Sequence, residues 1–420
     1  MKVKRLTMRS FRGIDNLTLD FNSNVTVLIG NNGVGKSSIL VSLSIVLSQC
    51  LGKLLGNDGI THVVLETDFK NNSQTLNIAA KVEINSNQDE IEFDSERDPI
   101  LMFSEHSIGG NLGITIQNIK KQLENDLLEG KLTDISLPLA IYYPVNRTVS
   151  DIFPEVQEHF PPSPLAAYDK ALGGQINFNS FFKWFRNRED LEGERLRDEP
   201  TYRDRHLEAI RKAIPELLPG FSNLRVRRSP LRMTVQKQGQ ELIINQLSDG
   251  EKCLLAMVGD LARRLAIANP GLPDPLQGEG VVLIDEIELH LHPKWQRNIV
   301  PALTRTFPNC QFIVTTHSPQ VLGEVKGKVY RLKSTSDGII AESLQTYGRD
   351  SAEILEDEME ADSRSVEIKE QLRKLFRLIE DGDLEAARAL KKEMAEKIGN
   401  DESEFVKAEI LIRRHEVIGR

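Results

Sequence analysis

The segment Gly30-Asn-Asn-Gly-Val-Gly-Lys36-Ser37 has the form Gly-x-x-x-x-Gly-Lys-Ser. The β-branched run 25–29 precedes it, and the apolar stretch 38–47, with helical spacing, follows it. A strand, a glycine-rich loop and a helix are therefore expected in that order. Such a loop turns successive backbone N–H groups towards a phosphate, and the helix N-terminus adds partial positive charge. The sequence predicts a loop that binds the phosphates of a nucleoside triphosphate.

The residues of this loop have separate roles in the prediction. Lys36 is expected to reach the β and γ phosphates, and the Ser37 hydroxyl is expected to ligate Mg²⁺. Arg12 lies just before a turn at Gly13, where its cation either faces the nucleotide or ends a strand in solvent. The nucleotide-contacting residues of the loop are predicted to be Gly30, Asn31, Asn32, Gly33, Val34, Gly35, Lys36, Ser37 and Ser38.

The composition is ordinary for a globular chain of 420 residues, with 40% hydrophobic and 27% charged residues. That length suffices for two or three compact units. We expect a cytoplasmic protein, because no run approaches the ~20 apolar residues of a membrane span and the N-terminus lacks a signal-peptide pattern. Three scattered cysteines argue against a disulfide framework or a zinc site. The net charge of −9 argues against a protein coated in nucleic acid but permits a local basic groove.

Hydrophobic patterning predicts strands and helices around the phosphate loop. Alternating apolar residues favour two or three strands in residues 1–29 and antiparallel strands at 61–69 and 76–84. Residues 114–130 are expected to form a helix, and residues 137–147 a buried strand. The sequence therefore predicts mixed α/β structure.

An inserted helical subdomain is predicted within residues 150–220. A proline-rich patch at 160–164 leads into Phe178-Asn-Ser-Phe-Phe-Lys-Trp-Phe185, and a heavily charged stretch follows. The aromatic face either packs in the protein interior or, beside the neighbouring arginines, stacks nucleic-acid bases. Interior packing is the more ordinary arrangement.

A β-hairpin is expected after this insertion. Its strands are predicted at 224–235 and 241–244, with the turn at 237–240. Four arginines there form the best local basic patch, which either contacts phosphates or marks a charged edge strand. They are Arg225, Arg227, Arg228 and Arg232.

Two later segments carry chemistry. Leu247-Ser-Asp-Gly-Glu-Lys252 opens a predicted helix, in which Ser248 can act as N-cap and Gly250 leaves the backbone open to an anion. Gly280-Val-Val-Leu-Ile-Asp285-Glu286 predicts a buried strand that ends in two carboxylates, and adjacent strand residues point in opposite directions. Asp285 is therefore expected to hold Mg²⁺, and Glu286 to polarise the attacking water.

Histidines follow Asp285 and Glu286 in the sequence. His290 and His292 are alternative metal ligands, although the carboxylate pair explains that stretch better. His317 ends another apolar strand and is expected to hold the γ-phosphate together with the attacking water. We predict Glu286 and His317 as the catalytic residues.

Four motifs in this order resemble those of the ABC-type ATPases. They are the phosphate loop 30–37, the signature 247–252, the Walker B strand 281–286 and the switch histidine, His317. The combination is highly specific, and it makes ATP the expected nucleotide.

Further segments resemble one branch of these ATPases. Ser10-Phe-Arg-Gly13 and the run 285–293 look like the RecF, SMC and OLD branch, and the interval between loop and signature is far too short for an SMC coiled coil. The insert 178–197 and the tail from Tyr347 look most like PtuA of Septu and its retron-associated relatives.

The resemblance implies an α/β fold, namely an ABC-type P-loop ATPase head with a mixed central sheet and flanking helices. An inserted helical subdomain and an α-helical C-terminal tail complete it. The expected divisions are an N-terminal lobe with the phosphate loop (1–149), the helical insertion (150–220), a C-terminal lobe with signature, Walker B strand and switch histidine (221–348), and an acidic helical tail (349–420).

The resemblance also implies a homodimer of heads, or a higher oligomer, that sandwiches two ATP molecules with Mg²⁺. Ser37 and Asp285 would hold the metal, and Arg12 would lie near the phosphates. The usual glutamine loop is not evident, and Gln117 and the segment around Arg147 are both candidates. The signature residues that would reach the other subunit's ATP are Ser248, Asp249, Gly250 and Glu251.

The acidic tail suggests a protein partner. Apolar faces predict two helices joined by a turn at 381–383 and a third helix at 403–416, which either bind another protein or fold back on their own domain. For Septu-like ATPases the partner would be an HNH nuclease, joined in retron-associated systems by a reverse transcriptase with its RNA and DNA. After residue 320 there is no Toprim-like run of carboxylates and no His-Asn-His pattern, so no nuclease activity is expected from this chain.

The favoured hypothesis is an ATP-hydrolysing sensor and regulatory subunit of a bacterial anti-phage defence complex, which controls a separate nuclease. The alternative is a RecF-like DNA repair ATPase that acts on DNA with recombination partners. A transporter subunit is disfavoured by the missing glutamine loop and the Phe-Arg-Gly opening, so no membrane partner is expected.

Overall fold

The computed structural model divides the chain into two compact units, Met1–Ser351 and Ala352–Arg420. The division falls close to the predicted start of the tail at 349, and the internal boundaries of the first unit stay predictions. Most of the proline-rich patch at 160–164 lies outside the described residues. The structure describes residues 1–21, 23–55, 64–84, 87–96, 104–108, 110–129, 136–147, 164–173, 178–362 and 364–418.

A six-stranded sheet lies at the centre of the first unit. Its strands are β3 (Val25–Ile29), β7 (Leu139–Tyr143), β11 (Gly280–Ile284), β12 (Cys310–Thr315), β13 (Lys328–Thr335) and β14 (Gly338–Leu344). The spatial order is β14-β13-β3-β12-β11-β7, and all neighbours are parallel except the antiparallel pair β13 and β14. The strands β3, β7, β11 and β12 are buried at every position, as expected of parallel strands covered on both faces.

Helices accompany this sheet. They include α1 (Lys36–Leu55), α5 (Asp249–Ala268), α6 (Pro293–Thr306) and the short α7 (Pro319–Leu322), whereas α2 (Gly110–Leu128) contacts α1 and the strands at 75–84 and 87–96. By length and composition alone, α1 is the one described helix that is apolar enough to cross a membrane, but 83% of that stretch is buried inside the protein. It is thus packed as the core helix that follows the phosphate loop. The predicted α/β architecture, with a mixed central sheet and flanking helices, is confirmed.

A second, antiparallel sheet is formed by N-terminal strands. It contains β1 (Lys2–Phe11), β2 (Ile14–Asp20), β4 (Thr75–Ile84), β5 (Asn87–Glu96) and β6 (Ser104–Ile108), in the order β2-β1-β4-β5-β6. The prediction of two or three strands before the phosphate loop is confirmed, since β1, β2 and β3 precede it. The prediction of an antiparallel strand at 76–84 is confirmed as well.

The strand predicted at 61–69 is wrong for its described part. Glu66–Asp68 is a short 3₁₀ helix, and residues 61–63 lie outside the described residues. The carboxylate of Asp68 is buried and accepts a hydrogen bond from the backbone of Leu65 at 2.9 Å. This local side-chain contact competes with strand pairing.

The inserted segment contains α3 (Phe178–Asp198) and α4 (Arg205–Leu217). The aromatic side chains of α3 are buried, so they form part of the core and do not present a base-stacking surface. Gly259 of α5 makes room for one of them, because a Cβ there would lie 2.9 Å from the Phe181 ring. The interior-packing interpretation of the aromatic run is therefore confirmed.

The hairpin predicted at 224–244 is confirmed in its turn at 237–240 and its second strand, and it is wrong in its first strand. Three antiparallel strands occur instead, β8 (Phe221–Arg228), β9 (Leu231–Lys237) and β10 (Gln240–Ile243), in the order β10-β9-β8. The predicted first strand is divided at Ser229-Pro230, since proline cannot donate a ladder hydrogen bond and is confined to edges and turns.

The second unit is helical. It contains α9 (Val366–Glu380), α10 (Leu384–Ile398) and α11 (Ser403–Ile418), and α8 (Ser351–Asp357) lies at the junction of the units. The predicted tail helices and the turn at 381–383 are confirmed. Their own core is formed by Leu372, Leu375, Ile379, Ala387, Met394, Phe405, Ala408 and Ile412.

Candidate nucleotide-binding and hydrolysis site

The predicted motifs meet at one edge of the central sheet. The strands β3, β12 and β11 are parallel neighbours, with Leu28 beside Thr315 and Val314 beside Ile284. Because the carboxyl ends of parallel strands lie at the same edge, the segments that follow them are brought together. These segments are the phosphate loop, the Thr316–His317 turn and the Asp285–Glu286 pair.

The phosphate loop is shaped by glycine at its first position. Gly30 has a φ of +142°, and a Cβ there would lie 2.5 Å from the carbonyl oxygen of Leu332 in β13. The Lys36 ammonium donates to the carbonyl oxygens of Gly30 at 2.9 Å and Asn31 at 3.1 Å. The lysine thus lies across the loop, where the predicted phosphates would bind.

The pKa of Lys36 is influenced by the acidic residues that follow β11. Burial lowers the pKa of its ammonium group, while the carboxylates of Asp285, Glu286 and Glu288 oppose that shift. The phosphate loop and the acidic residues after β11 therefore share one electrostatic environment, as the motif order predicted.

The residues predicted to hold Mg²⁺ have suitable donor atoms. Asp285 is buried, and its Oδ1 accepts a hydrogen bond from the Thr315 hydroxyl at 2.6 Å. Ser37 is the second residue of α1, directly after Lys36. A carboxylate and a hydroxyl at a phosphate site are the oxygen ligands that Mg²⁺ prefers. The residues fit the metal, and the ligand assignment stays a prediction.

Glu286 is held in an unusual backbone conformation. Its φ is +46°, in the left-handed region that side chains other than glycine rarely adopt. Its backbone N–H donates to the Thr315 hydroxyl at 2.7 Å, and its carbonyl accepts from Arg147 Nη2 at 2.6 Å. Its side chain is half-buried, as expected of a group that must reach both protein and water.

Glu288 was not singled out by sequence reasoning as a site residue. Its carboxylate accepts hydrogen bonds from the Thr316 hydroxyl at 2.7 Å and from the backbone N–H of His317 at 2.5 Å. It therefore positions the turn that carries the half-buried His317. A third carboxylate so soon after Asp285 was the available signal, although its partners are distant in sequence.

The signature segment caps α5. The Ser248 hydroxyl accepts from the Glu251 backbone at 3.4 Å, and Glu251 accepts in return from the Ser248 backbone at 3.0 Å. Although burial raises the pKa of Glu251, hydrogen bonds from Lys237 and Ser248 keep that pKa below its ordinary value. The predicted cap is confirmed, and Glu251 serves it while Asp249 lies exposed in the first turn.

Gly250 has a local role besides the predicted one. A Cβ at this position would lie 2.1 Å from the carbonyl oxygen of His290, in the turn that follows Glu286. Only glycine permits this close approach. The signature segment therefore packs directly against the turn that follows the Walker B strand.

Arg12 pairs with a carboxylate. Its guanidinium lies 2.8 Å from Oδ1 of the buried Asp68 and over the Phe11 ring, and its φ is +51°. Its predicted approach to the phosphates stays a prediction.

The two candidates for the glutamine loop differ in placement. Gln117 is exposed on α2, whereas Arg147 is buried and directs its guanidinium at the carbonyl oxygens of Asp285 and Glu286. The glutamine-loop role stays unassigned. The sequence pointed to the segment around Arg147 but did not predict that its guanidinium would contact the carbonyl oxygens of Asp285 and Glu286.

A metal site at the histidines and a reactive thiol both have little support among the described residues. His290 and His292 are exposed, and His292 Nδ1 caps α6 by accepting from the Lys294 backbone at 3.2 Å. Among the described residues, no three His, Cys, Asp or Glu side chains form a group that could hold a metal ion. Burial raises the pKa of the free thiols Cys50 and Cys310 to about 12.

Two of the four arginines in the patch of the three-stranded sheet are paired with acidic side chains. Arg227 pairs with Glu241, and Arg228 pairs with Glu189 and Asp190. These pairings lower its net positive charge and favour the charged-edge interpretation over phosphate contact.

Comparison with known proteins shows the family. The family model "AAA domain" matches residues 5–219, and the model "AAA domain, putative AbiEii toxin, Type IV TA system" matches residues 119–323. The "Retron Ec83 probable ATPase" of Escherichia coli is 30% identical, over 76% of this chain and 69% of that protein. The "Retron Vc95 probable ATPase" of Vibrio cholerae serotype O1 biovar El Tor is 31% identical, over 79% of this chain and 74% of that protein. The chain belongs to this family of ABC-type ATPases.

A Septu protein and an SMC head domain are also similar to this ATPase. The Septu protein PtuA of Bacillus thuringiensis is 23% identical, over 76% of this chain and 72% of that protein. Among solved structures, the SMC head domain from Thermotoga maritima aligns with a TM-score of 0.44 at 14% identity, covering 82% of this chain and 100% of that one. The predicted likeness to retron-associated and Septu ATPases is confirmed.

Proposed function

We propose that this ATPase is the ATP-binding and ATP-hydrolysing regulatory subunit of an anti-phage defence complex. The pairing of the parallel strands β3, β12 and β11, which brings Lys36 and the acidic residues after β11 to one sheet edge, is the observation that carries the ATPase part. The defence part is supported by the relationship to retron and Septu proteins.

In this proposal the side chains divide the work of hydrolysis. Lys36 would leave the loop carbonyls to bind the β and γ phosphates, and Ser37 and Asp285 would hold Mg²⁺, whose charge would offset that of the phosphates. Glu286 accepts a proton from the attacking water, and His317 holds the γ-phosphate in line with that water. Thr315 and Glu288 keep these groups in place through their hydrogen bonds.

A dimer of heads completes the proposed site. The positive end of α5, beginning at Ser248, would approach the ATP bound to the other subunit. ATP would therefore join two heads, and hydrolysis would release them. Such a cycle gives the complex two states that differ in nucleotide.

The effector is proposed to be a separate nuclease of the HNH type, with a reverse transcriptase and its RNA and DNA as further partners in a retron-like system. The helical second unit supports this role as a docking unit, because it has its own core. The RecF-like alternative needs DNA contact, and the paired Arg227 and Arg228 give it little support.

A pull-down from the native host, with and without ATP, tests the regulatory assignment. The tagged full-length chain is compared with a variant lacking residues 352–420, and recovered proteins are identified by mass spectrometry. We expect a small HNH protein with the full-length chain and its loss from the truncated one, which should still bind ATP. Recovery of replication or recombination proteins alone would contradict the assignment and favour DNA repair.

A further inference from the structure

The carboxylate proposed to activate water sits on a strained backbone. Glu286 has a φ of +46°, a conformation that costs a non-glycine residue on the order of 1–2 kcal/mol and persists only when neighbouring groups hold it. On the N-terminal side, its N–H is held by the Thr315 hydroxyl. On the C-terminal side, its carbonyl is held by Arg147.

Arg147 makes several contacts from one buried guanidinium, which lies just beyond β7. Nη1 donates to the carbonyl oxygen of Pro144 at 3.0 Å and to that of Asp285, and Nη2 donates to that of Glu286 at 2.6 Å. It thus links the end of β7 to two successive peptides at the end of β11. Among described residues its side-chain hydrogen bonds all go to main-chain oxygens, so it acts on the backbone and not by pairing with the acidic side chains.

We propose that Arg147 is a positioning residue for ATP hydrolysis, which holds the Asp285–Glu286 backbone in the geometry that points Glu286 at the attacking water. This inference rests on the proposed function. The planar guanidinium offers separate nitrogens at fixed angles to the two carbonyls, whereas the single nitrogen of a lysine cannot reproduce that fork. Arg147 touches neither nucleotide nor water in this scheme and acts through Glu286.

The main chain of Arg147 is anchored independently of its side chain. The thiol of Cys253, in α5, lies 3.8 Å from the Arg147 carbonyl oxygen and donates to it. A side-chain substitution leaves this contact in place. The effect of the guanidinium can therefore be measured separately from the placement of the segment.

The test compares two buried arginines, each replaced by lysine in the full-length protein. Arg147→Lys removes the pair of guanidinium nitrogens that donate to the carbonyl oxygens of Asp285 and Glu286. Arg264→Lys is the control, because Arg264 is equally buried and caps the carbonyls of Ala167 at 2.7 Å and Asp169 at 2.9 Å. We expect both variants to lose thermal stability, but only Arg147→Lys to lose kcat, about 10- to 100-fold, with KM for ATP within about threefold.

The outcomes separate this inference from the proposed function. If the wild-type protein binds no ATP or hydrolyses none with its partners present, the proposed function fails and the inference fails with it. If the wild type turns over and Arg147→Lys keeps its kcat, or loses no more than Arg264→Lys, the inference alone is overturned. A raised KM with unchanged kcat would also overturn it, since Arg147 would then support binding and not hydrolysis.

Discussion

At the scale of single residues, Thr315 links the side chain of Asp285 to the backbone of Glu286. Its hydroxyl donates to Asp285 Oδ1 at 2.6 Å and accepts from the Glu286 backbone at 2.7 Å. One buried hydroxyl thus orients the proposed metal ligand and holds the strained Glu286 at the same time. Both groups would lose a partner if the hydroxyl were removed.

Replacing Thr315 by valine should therefore lower turnover and stability together. The change keeps the side-chain shape but leaves the Glu286 N–H unsatisfied, at a cost of about 1–3 kcal/mol. We expect kcat for ATP to fall at least about tenfold, measured in a steady-state assay beside a thermal melt. Thr315→Ser keeps the hydroxyl and should stay close to wild type; equal activity of the valine variant would refute the role.

At the scale of elements, α5 connects the signature segment to the rest of the head. Its first turn abuts the carbonyl of His290, and its middle carries Asp260, which pairs with Arg263 and Arg264 at 2.7 Å each. The Asp260 carboxylate also accepts from the hydroxyl of Tyr143, the last residue of β7, at 3.1 Å. The helix is thus fixed at its first turn by close packing and at its middle by buried charge.

The close packing predicts the effect of Gly250→Ala. The new Cβ would lie 2.1 Å from a backbone oxygen, which cannot move as a flexible side chain would. We expect displacement of the signature turn, with a lower melting temperature and reduced ATP turnover. Gly193→Ala is the matched control in a helix, since a Cβ there meets nothing within 4 Å and should be neutral or stabilising. A Gly250→Ala variant that melts and turns over like wild type would contradict this packing.

The buried charge predicts a pH dependence. Burial alone would raise the pKa of Asp260, but the cations of Arg264 and Arg263 outweigh it and lower that pKa to about 2. A depressed carboxylate pKa stabilises the fold at pH above the unfolded value, near 4, and this stabilisation is lost as pH falls towards 2. It amounts to about 2 kcal/mol.

Asp260→Asn should remove this part of the acid sensitivity. The variant is expected to be less stable than wild type at pH 7, because two buried arginines lose their counter-charge. Between pH 5 and pH 2 its unfolding free energy should fall less steeply than that of wild type, as measured by denaturant titration. Asp337→Asn, at an exposed position, should keep the wild-type slope. Parallel slopes for wild type and Asp260→Asn would exclude the proposed contribution.

The elements that sequence could predict are those with strong local signals. Glycine spacing and apolar runs were sufficient to predict β3, the phosphate loop and α1. The N-cap at Ser248 could be predicted from the residues of the signature segment alone. The 61–69 and 224–235 assignments failed where a local side chain, Asp68, or a proline, Pro230, outweighed alternation. The contacts of Arg147, Thr315 and Glu288 could not be predicted, because they are hydrogen bonds between segments distant in the chain.

At the scale of the whole molecule, catalysis and partner binding are assigned to different units. The first unit contains the phosphate loop, the acidic residues and the signature, and the second has a separate helical core. The residues of the first unit are therefore expected to bind and hydrolyse ATP, with those of a second head completing the site. The rest of the scheme, from dimer to effector, depends on that reaction.

The most direct measurement is ATP turnover by Glu286→Gln, with ATP binding recorded on the same preparation. Glutamine keeps the size of the side chain but cannot accept the proton of water, so we predict wild-type ATP affinity and a kcat lower by about 10²- to 10⁴-fold. Glu385→Gln, at an exposed position in α10, should hydrolyse ATP as wild type does. Undiminished hydrolysis by Glu286→Gln would contradict the account, because the water would then be activated by another group.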